Sequence, residues 1–314
     1  MDIAEFDSYL LDIEHFKNKK DYAGKIEIES GVEFEYAKEY KGVDYLAFLK
    51  EMKAKTDKMI LGQHWVVDKN GKQHEIGRGK GGKEISDDIL DLYVESICDA
   101  MENNIPDIIA HPDLFMKARD SFGAKEQEVA RRICQAAIEH GIPLEINFGQ
   151  IAKYSDSKQT GNEIRKDVAY PSQEFWKYIA ETAPQYEQQY GKQLKVLFGK
   201  DAHFPGQLST DRDYELALDI VGIETLEQLH FVRDDLRTVD TEMIDRLNGL
   251  KEKNNPTVEI DETDIAKQRQ RAFLGPRKIN TQAKTEARQK VTQDQRITMQ
   301  ELGQKNEGHN NYGE

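Results

Sequence analysis

Residues 196–205 read Val196-Leu-Phe-Gly-Lys-Asp-Ala-His-Phe-Pro205, and the layout of this stretch decides the fold class. An apolar run suited to a buried strand stops at Gly199. Two metal-ligand side chains, Asp201 and His203, then stand two residues apart. Parallel strands covered on both faces read as unbroken apolar runs. Enzymes built on them carry their chemistry just past the carboxyl ends. The same layout recurs over residues 26–33, 59–64 and 108–111, which end in Glu33, His64 and His111. Four strand ends of one kind imply a sheet that brings them to one edge.

Helical patterns separate these strands. Asp2 and Glu5 form a capping box, and Ile3, Phe6, Leu10, Ile13 and Phe16 follow at helical spacing to about residue 17–20. Residues 25–36 alternate through Ile26 and Ile28 and turn at Ser30-Gly31. Tyr45, Leu46, Phe48, Leu49 and Met52 mark the next helix, residues 58–67 a strand, and residues 68–83 a polar, glycine-rich loop. Ser86 caps a helix whose stripe is Ile89, Leu90, Tyr93, Val94, Ile97 and Met101. A strand over 106–114 precedes a helix from about 125 to 140, closed at Gly141. A short strand over 143–147, a helix capped by Ser172, the 196–199 strand, a helix over 211–221 and a strand-like piece over 228–232 complete the series. Strand and helix alternate throughout, so the class is α/β, a parallel sheet with covering helices, open or closed into a barrel.

The chain of 314 residues has a net charge of -14 and a mean hydropathy of -0.77, low for a fully folded chain of this size. Negative charge argues against general binding to nucleic acid or a membrane surface, both polyanionic. No apolar run nears the roughly 18–20 residues that span a bilayer, and no secretory signal opens the chain. Cys98 and Cys134 read as reduced core residues within helices, so the expected compartment is the cytoplasm. Residues 251–314 carry 12 Lys/Arg and 10 Asp/Glu, against 32 and 48 in residues 1–250. That polar tail lacks a sustained apolar stripe and is expected to be disordered. The domains are therefore 1–250 and 251–314.

Each chemical residue has a plain structural reading beside it. His64 alone could be a core histidine, His111-Pro-Asp a turn, and Glu33 a surface carboxylate. Asp201 and His203 are the strongest pair, although Asp-x-His also occurs by chance. The combination at four strand ends favours a metal site, and His, Glu and Asp without thiolates suit Zn, Mn or Fe. Metals about 3.5–4 Å apart can share a hydroxide and steady attack on phosphorus, so the reaction class is metal-assisted hydrolysis of a phosphate ester or amide. Glu145, in Leu-Glu-Ile-Asn, either orients a ligand or is an ordinary strand-end residue. Gly77-Arg-Gly-Lys-Gly-Gly82-Lys83-Glu84 nearly fits a phosphate-binding P-loop. It lacks a leading apolar strand, however, and has Glu84 where Ser or Thr should hold magnesium. A plain flexible loop is the favoured reading, ahead of a basic lid.

Taken in order, Gly31-Val-Glu-Phe-Glu-Tyr36, Leu61-Gly-Gln-His-Trp65, Ile109-Ala-His-Pro-Asp-Leu-Phe115, Leu144-Glu-Ile-Asn147, Tyr170-Pro171 with Phe175-Trp176, and Gly199-Lys-Asp-Ala-His203 resemble the polymerase-and-histidinol-phosphatase (PHP) family, most of all its monofunctional histidinol-phosphatase branch. The resemblance runs from about residue 1 to 240. It implies a distorted (β/α)7 TIM-like barrel with two to three divalent metals (Zn, Mn or Fe) at its mouth. Glu33 would bridge two metals, His64 and His111 would complete one of them, Asp201 would ligate another and His203 the third. Asp201 and His203 would be catalytic, and Arg165 would hold the substrate phosphate. The implied activity is hydrolysis of L-histidinol phosphate to L-histidinol, in histidine biosynthesis, by metal-bound hydroxide attacking phosphorus. The alternatives are another small phosphorylated substrate or nucleotide, or an inactive binding or regulatory remnant.

One departure bears on activity. The family opens with a strand carrying Asp-x-His-x-His and a further histidine before the helix that begins here, so the expected barrel is N-terminally incomplete. A longer true protein, a truncated relic, or a second chain supplying the missing strands would each account for it.

Overall fold

The apolar strand runs lie side by side and point the same way. The computed structural model describes residues 3–40, 42–77, 85–154, 156–203 and 211–232. Asp2, most of the near-P-loop segment and the 251–314 tail fall outside them. The strands are β1 (Gly31–Phe34), β2 (Glu39–Tyr40), β3 (Val43–Asp44), β4 (Lys58–Leu61), β5 (Trp65–Val67), β6 (Gln73–Glu75), β7 (Ile108–Ile109), β8 (Leu144–Asn147), β9 (Lys195–Gly199) and β10 (His230–Phe231). The helices are α1 (Ile3–Lys17), α2 (Tyr45–Lys55), α3 (Asp87–Glu102), α4 (Ala124–His140), α5 (Gly161–Ile164), α6 (Gln173–Tyr190), α7 (Asp211–Val221) and α8 (Ile223–Leu226).

Six strands make one sheet in the order β1-β4-β7-β8-β9-β10, every pairing parallel. The order follows the chain, so each helical connection advances the sheet by one strand. With the right-handed crossovers that parallel strands favour, such winding lays the helices along one face. Accordingly α3 packs on α4, α4 on α6 and α6 on α7. This is the winding of a barrel wall. Among the described residues β1 pairs only with β4 and β10 only with β9, so the sheet is open and the incomplete barrel that the resemblance implies is not seen as a barrel.

Burial explains the order. All four residues of the central strand β8 are buried, and Leu144 and Ile146 are fully so. Met59 and Leu61 of β4, Val196 and Leu197 of β9, and the helix residues Ile97, Ile133, Trp176 and Ile179 fill the same core. Burying each such aliphatic side chain stabilises the fold by about 1.5–3 kcal/mol. Cys98 and Cys134 lie on α3 and α4 as free thiols, and burial pushes them up to about 11 and about 12, which makes them poor nucleophiles. Among the described residues no helix is long and apolar enough to cross a membrane.

Several expectations change in detail. The strand expected from Ile26 begins at Gly31, and Ile26 is exposed. The 58–67 strand divides, because Gly62, Gln63 and His64 leave the sheet and residues 65–67 start an antiparallel hairpin with β6, inside the segment read as loop. The 106–114 strand shrinks to Ile108–Ile109, and a 3-10 turn over Leu114–Ala118 follows. Ser86 occupies the N-cap position of α3 without a side-chain capping bond, whereas Ser172 Oγ accepts the Phe175 N–H at 3.3 Å. On α1, Phe6 is buried and Leu10 packs against the core, whereas Phe16 is exposed, so the expected stripe leaves the core before its end.

Candidate metal centre

Three of the expected ligands meet at the carboxyl ends of β1, β4 and β7, adjacent strands of the sheet. One ligand atom each from Glu33, His64 and His111 lies within 4.8 Å of the others. Glu33 Oε1 stands 3.6 Å from His111 Nε2 and 4.0 Å from His64 Nε2, and the two imidazole centroids are 4.7 Å apart. The register β1–β4 places Glu33 beside Ile60, and β4–β7 places Leu61 beside Ile109, so all three chains turn off the sheet at one level. Gly62 makes room there. A Cβ at this position would run into the Glu33 carboxylate and crowd the His64 ring.

His111 is the floor of the site. Its side chain is 2% exposed, yet neither Nδ1 nor Nε2 has a hydrogen-bond partner. A buried imidazole nitrogen without a hydrogen bond costs about 1–3 kcal/mol, a cost the Glu33 carboxylate 3.6 Å from Nε2 offsets only in part. Such a cost is consistent with a group waiting for a ligand. The residue also holds a left-handed φ of 30°, rare for a non-glycine residue. Glu145 secures it there. Its Oε2 accepts the His111 main-chain N–H at 3.0 Å and the Asn147 amide at 2.8 Å. Burial holds the Glu145 carboxyl above the usual range, and Gly199 leaves the space it fills. Glu145 thus acts on the backbone of a candidate ligand from within the sheet.

His64 is held differently. Its Nδ1 lies 2.8 Å from Glu35 Oε1, and its main-chain N–H donates to Glu35 Oε2 at 2.8 Å. The Glu35 hydrogen bond raises the His64 pKa above the ordinary histidine value. Glu33 moves the other way. The neighbouring His111 imidazole is the main reason its carboxyl sits below the usual range. Glu35 was not among the residues singled out from the sequence. The pairing register that brings it to His64 is its only signal.

Asp201 and His203 follow β9 and lie outside the three-residue cluster. Asp201 has φ 53°, and burial and the Glu33 carboxylate together hold its carboxyl above the usual range. A carboxylate whose ionisation is disfavoured by a neighbouring carboxylate suits a shared cation. His203 is 71% exposed, and its Nδ1 lies 3.0 Å from the Asp201 carbonyl, which can only accept; Nδ1 therefore carries the hydrogen. Next door, Lys200 ties the end of β9 to α7 through Asp213 at 2.5 Å.

Arg165 caps the end of α5, exposed, and donates to the Gln173 side-chain oxygen. It lines a recess of about 860 Å³ together with Lys153, Lys166, Gln150 and Gly149. One lining residue, Gly149, lies beside the β9 end of the site, where a Cβ on it would stand 3.2 Å from Asp201 Oδ2. Asp113, read as a turn residue, is fully buried. Its Oδ2 accepts the Ser172 N–H at 2.7 Å, and burial pushes its carboxyl up to about 7. That bond anchors the segment carrying Tyr170, whose ring centroid is 6.0 Å from that of His111.

No protein-family model and no curated protein matches the sequence. Among solved structures, the chain is similar to a histidinol phosphate phosphatase from Lactococcus lactis complexed with zinc, L-histidinol and phosphate. That likeness has 15% identity and a TM-score of 0.44, and covers 72% of this chain and 75% of that one. It is also similar to a chain assigned as histidinol phosphatase from Listeria monocytogenes, with 19% identity and a TM-score of 0.47, covering 68% and 77%.

Proposed function

We propose that the chain is a metal-dependent phosphoric monoester hydrolase of the histidinol-phosphatase kind, acting on L-histidinol phosphate. The observation that carries this reading is the convergence of Glu33, His64 and the buried His111, whose ring nitrogens make no hydrogen bond, at three adjacent strand ends. The donor set, one carboxylate and two imidazoles, suits Zn, Mn or Fe, and a cation bound there would supply Lewis-acid charge for a phosphoryl oxygen. In this reading Glu33 and His64, both about two-fifths exposed, face the substrate side, and His111 backs them. Asp201 extends the ligand set toward β9 for a second or third cation. His203, with its proton on Nδ1, presents Nε2 as a ligand or proton acceptor. Arg165 is the phosphate-binding residue, supported by its place in a recess whose Gly149 lies beside Asp201.

The test is phosphate release from L-histidinol phosphate by the purified chain loaded with Zn, Mn or Fe and again after chelation. Release with each loaded form that binds at least one metal per chain, lost on chelation, is the expected result. Less than one metal per chain, with the substrate intact, would overturn the reading. Release only from other phosphate monoesters would keep the phosphatase and reject the substrate.

A further inference from the structure

Beyond the three converging ligands, the hydrogen bonds around His64 single out a residue that touches none of the reacting groups. We infer that Glu35 is a positioning residue of this centre, one that fixes His64 as its Nδ1–H tautomer and so turns the Nε2 lone pair toward Glu33. The inference rests on the metal reading of the site only where affinity is concerned.

The pairing of β1 with β4 sets up the contact. The ladder continues one step past β1, where the Gly62 N–H donates to the Phe34 carbonyl at 3.1 Å. Residue 35 therefore stands level with the turn that carries His64. Strand side chains alternate between faces, so Glu33 and Glu35 emerge on the same side. One reaches the ligand cluster, and the other reaches the imidazole behind it.

The carboxylate of Glu35 meets three donors from two consecutive residues. Oε1 lies 2.8 Å from His64 Nδ1, and Oε2 accepts the N–H groups of His64 at 2.8 Å and Trp65 at 3.4 Å. An ionised carboxylate only accepts, so with neutral imidazole the hydrogen belongs on Nδ1 and the lone pair on Nε2. Nε2 is the nitrogen 4.0 Å from Glu33 Oε1. Gln63 makes the frame rigid. Its Oε1 accepts the Tyr36 N–H at 2.9 Å, and its Nε2 donates to the carbonyls of Tyr36 at 3.2 Å and Trp65 at 2.7 Å. The chain on either side of the Glu35–His64 contact is thereby clamped. A carboxylate that orients a ligand histidine in this way typically matters 10–100-fold to metal affinity.

Glu35→Gln is the discriminating variant. The backbone N–H groups of residues 64 and 65 demand the amide oxygen, which leaves the amide NH2 facing Nδ1. Nδ1 must then accept, and the hydrogen moves to Nε2, the nitrogen the metal needs. Long-range proton–nitrogen NMR of the metal-free chain, at a pH where His64 is neutral, should show Nδ1–H in the parent and Nε2–H in the variant. Zinc affinity, read by competition with a chromophoric chelator, should fall about 10–100-fold while the melting temperature stays close to the parent value. An unchanged tautomer, or an affinity within about twofold, overturns the inference. Should Glu35→Gln fail to fold, Glu35→Asp keeps the charge but withdraws it by one methylene. The same affinity loss is then expected, and parental affinity refutes the role. A parent chain that binds no zinc would sink the metal reading instead, and the tautomer measurement would still judge the hold of Glu35 on His64.

Discussion

His64 and His203 carry the same tautomer by different means. At His64 the Nδ1 hydrogen faces a carboxylate from a neighbouring strand, which also grips the main chain of the same residue. At His203 it faces the carbonyl of Asp201, two residues back along its own chain, and the ring is largely exposed. The β1–β4–β7 side is thus set by pairing between strands, and the β9 side by a local turn. Ordering that is settled on folding need not be supplied on binding. In the proposed reading the first side holds metal tightly, and the second adjusts to substrate and turnover.

The largest effect that could break this division is the loss of a ligand on the ordered side. His111→Ala should lower zinc affinity by more than the 10–100-fold typical of an outer group. Asp201→Ala should cost the tightest site no more than about tenfold, yet abolish phosphate release. Calorimetric metal titration and a phosphate assay on the two variants decide it, and equal affinity losses would erase the distinction. A middle-sized effect is expected at Gly62. Its alanine variant pushes the flexible end of Glu33 out of the cluster, so zinc affinity should fall about tenfold. The melting temperature should barely change, because what must move is the Glu33 carboxylate and the edge of the His64 ring, not backbone. Gly31→Ala on β1, the strand of Glu33, with ordinary contact at 3.8 Å to Lys58, should leave affinity alone and serves as the control in the same titration.

The smallest effect lies in the metal-free titration. Glu33 should titrate below the usual Glu value of about 4.3, and Asp201 above the usual Asp value of about 3.9. The signs differ. Glu33 contributes stability that is present above its unfolded value and lost as pH falls through its folded midpoint. Asp201 binds its proton more tightly when folded, so its contribution is present at low pH and lost as pH rises through its folded midpoint. Carbon-13 carboxyl titration reads both, and midpoints at the ordinary values would show that neither the His111 imidazole beside Glu33 nor the burial of Asp201 acts as the geometry implies.

The division also separates what was legible in the sequence from what was not. Glu33, His64 and His111 stand where an apolar run stops, and a run of buried strand residues is a local signal. The structure brings those three together. Glu35 sits in the same Val-Glu-Phe-Glu motif, but its use depends on how far the β1–β4 ladder extends, and pairing register is not written in either strand alone. Asp113 looked like a turn residue because His-Pro-Asp carries turn chemistry. Its burial arises only when α6 and the Ser172 N–H arrive from 59 residues away. Ile26 failed in the opposite sense, since alternation without a partner strand leaves it exposed. The hairpin of β5 and β6 was hidden by polar residues, among them Asp68 and His74, which bond to each other at 2.9 Å.

The grip of Glu35 and Glu145 on main-chain N–H groups has a consequence for redesign. Both carboxylates locate positions 64 and 111 through atoms that every residue except proline possesses. The backbone at these two points is a socket whose placement does not depend on the imidazole plugged into it. Thiolate or carboxylate side chains could be exchanged there to retune which cation is preferred, with the strand ends still held at the same level of the sheet.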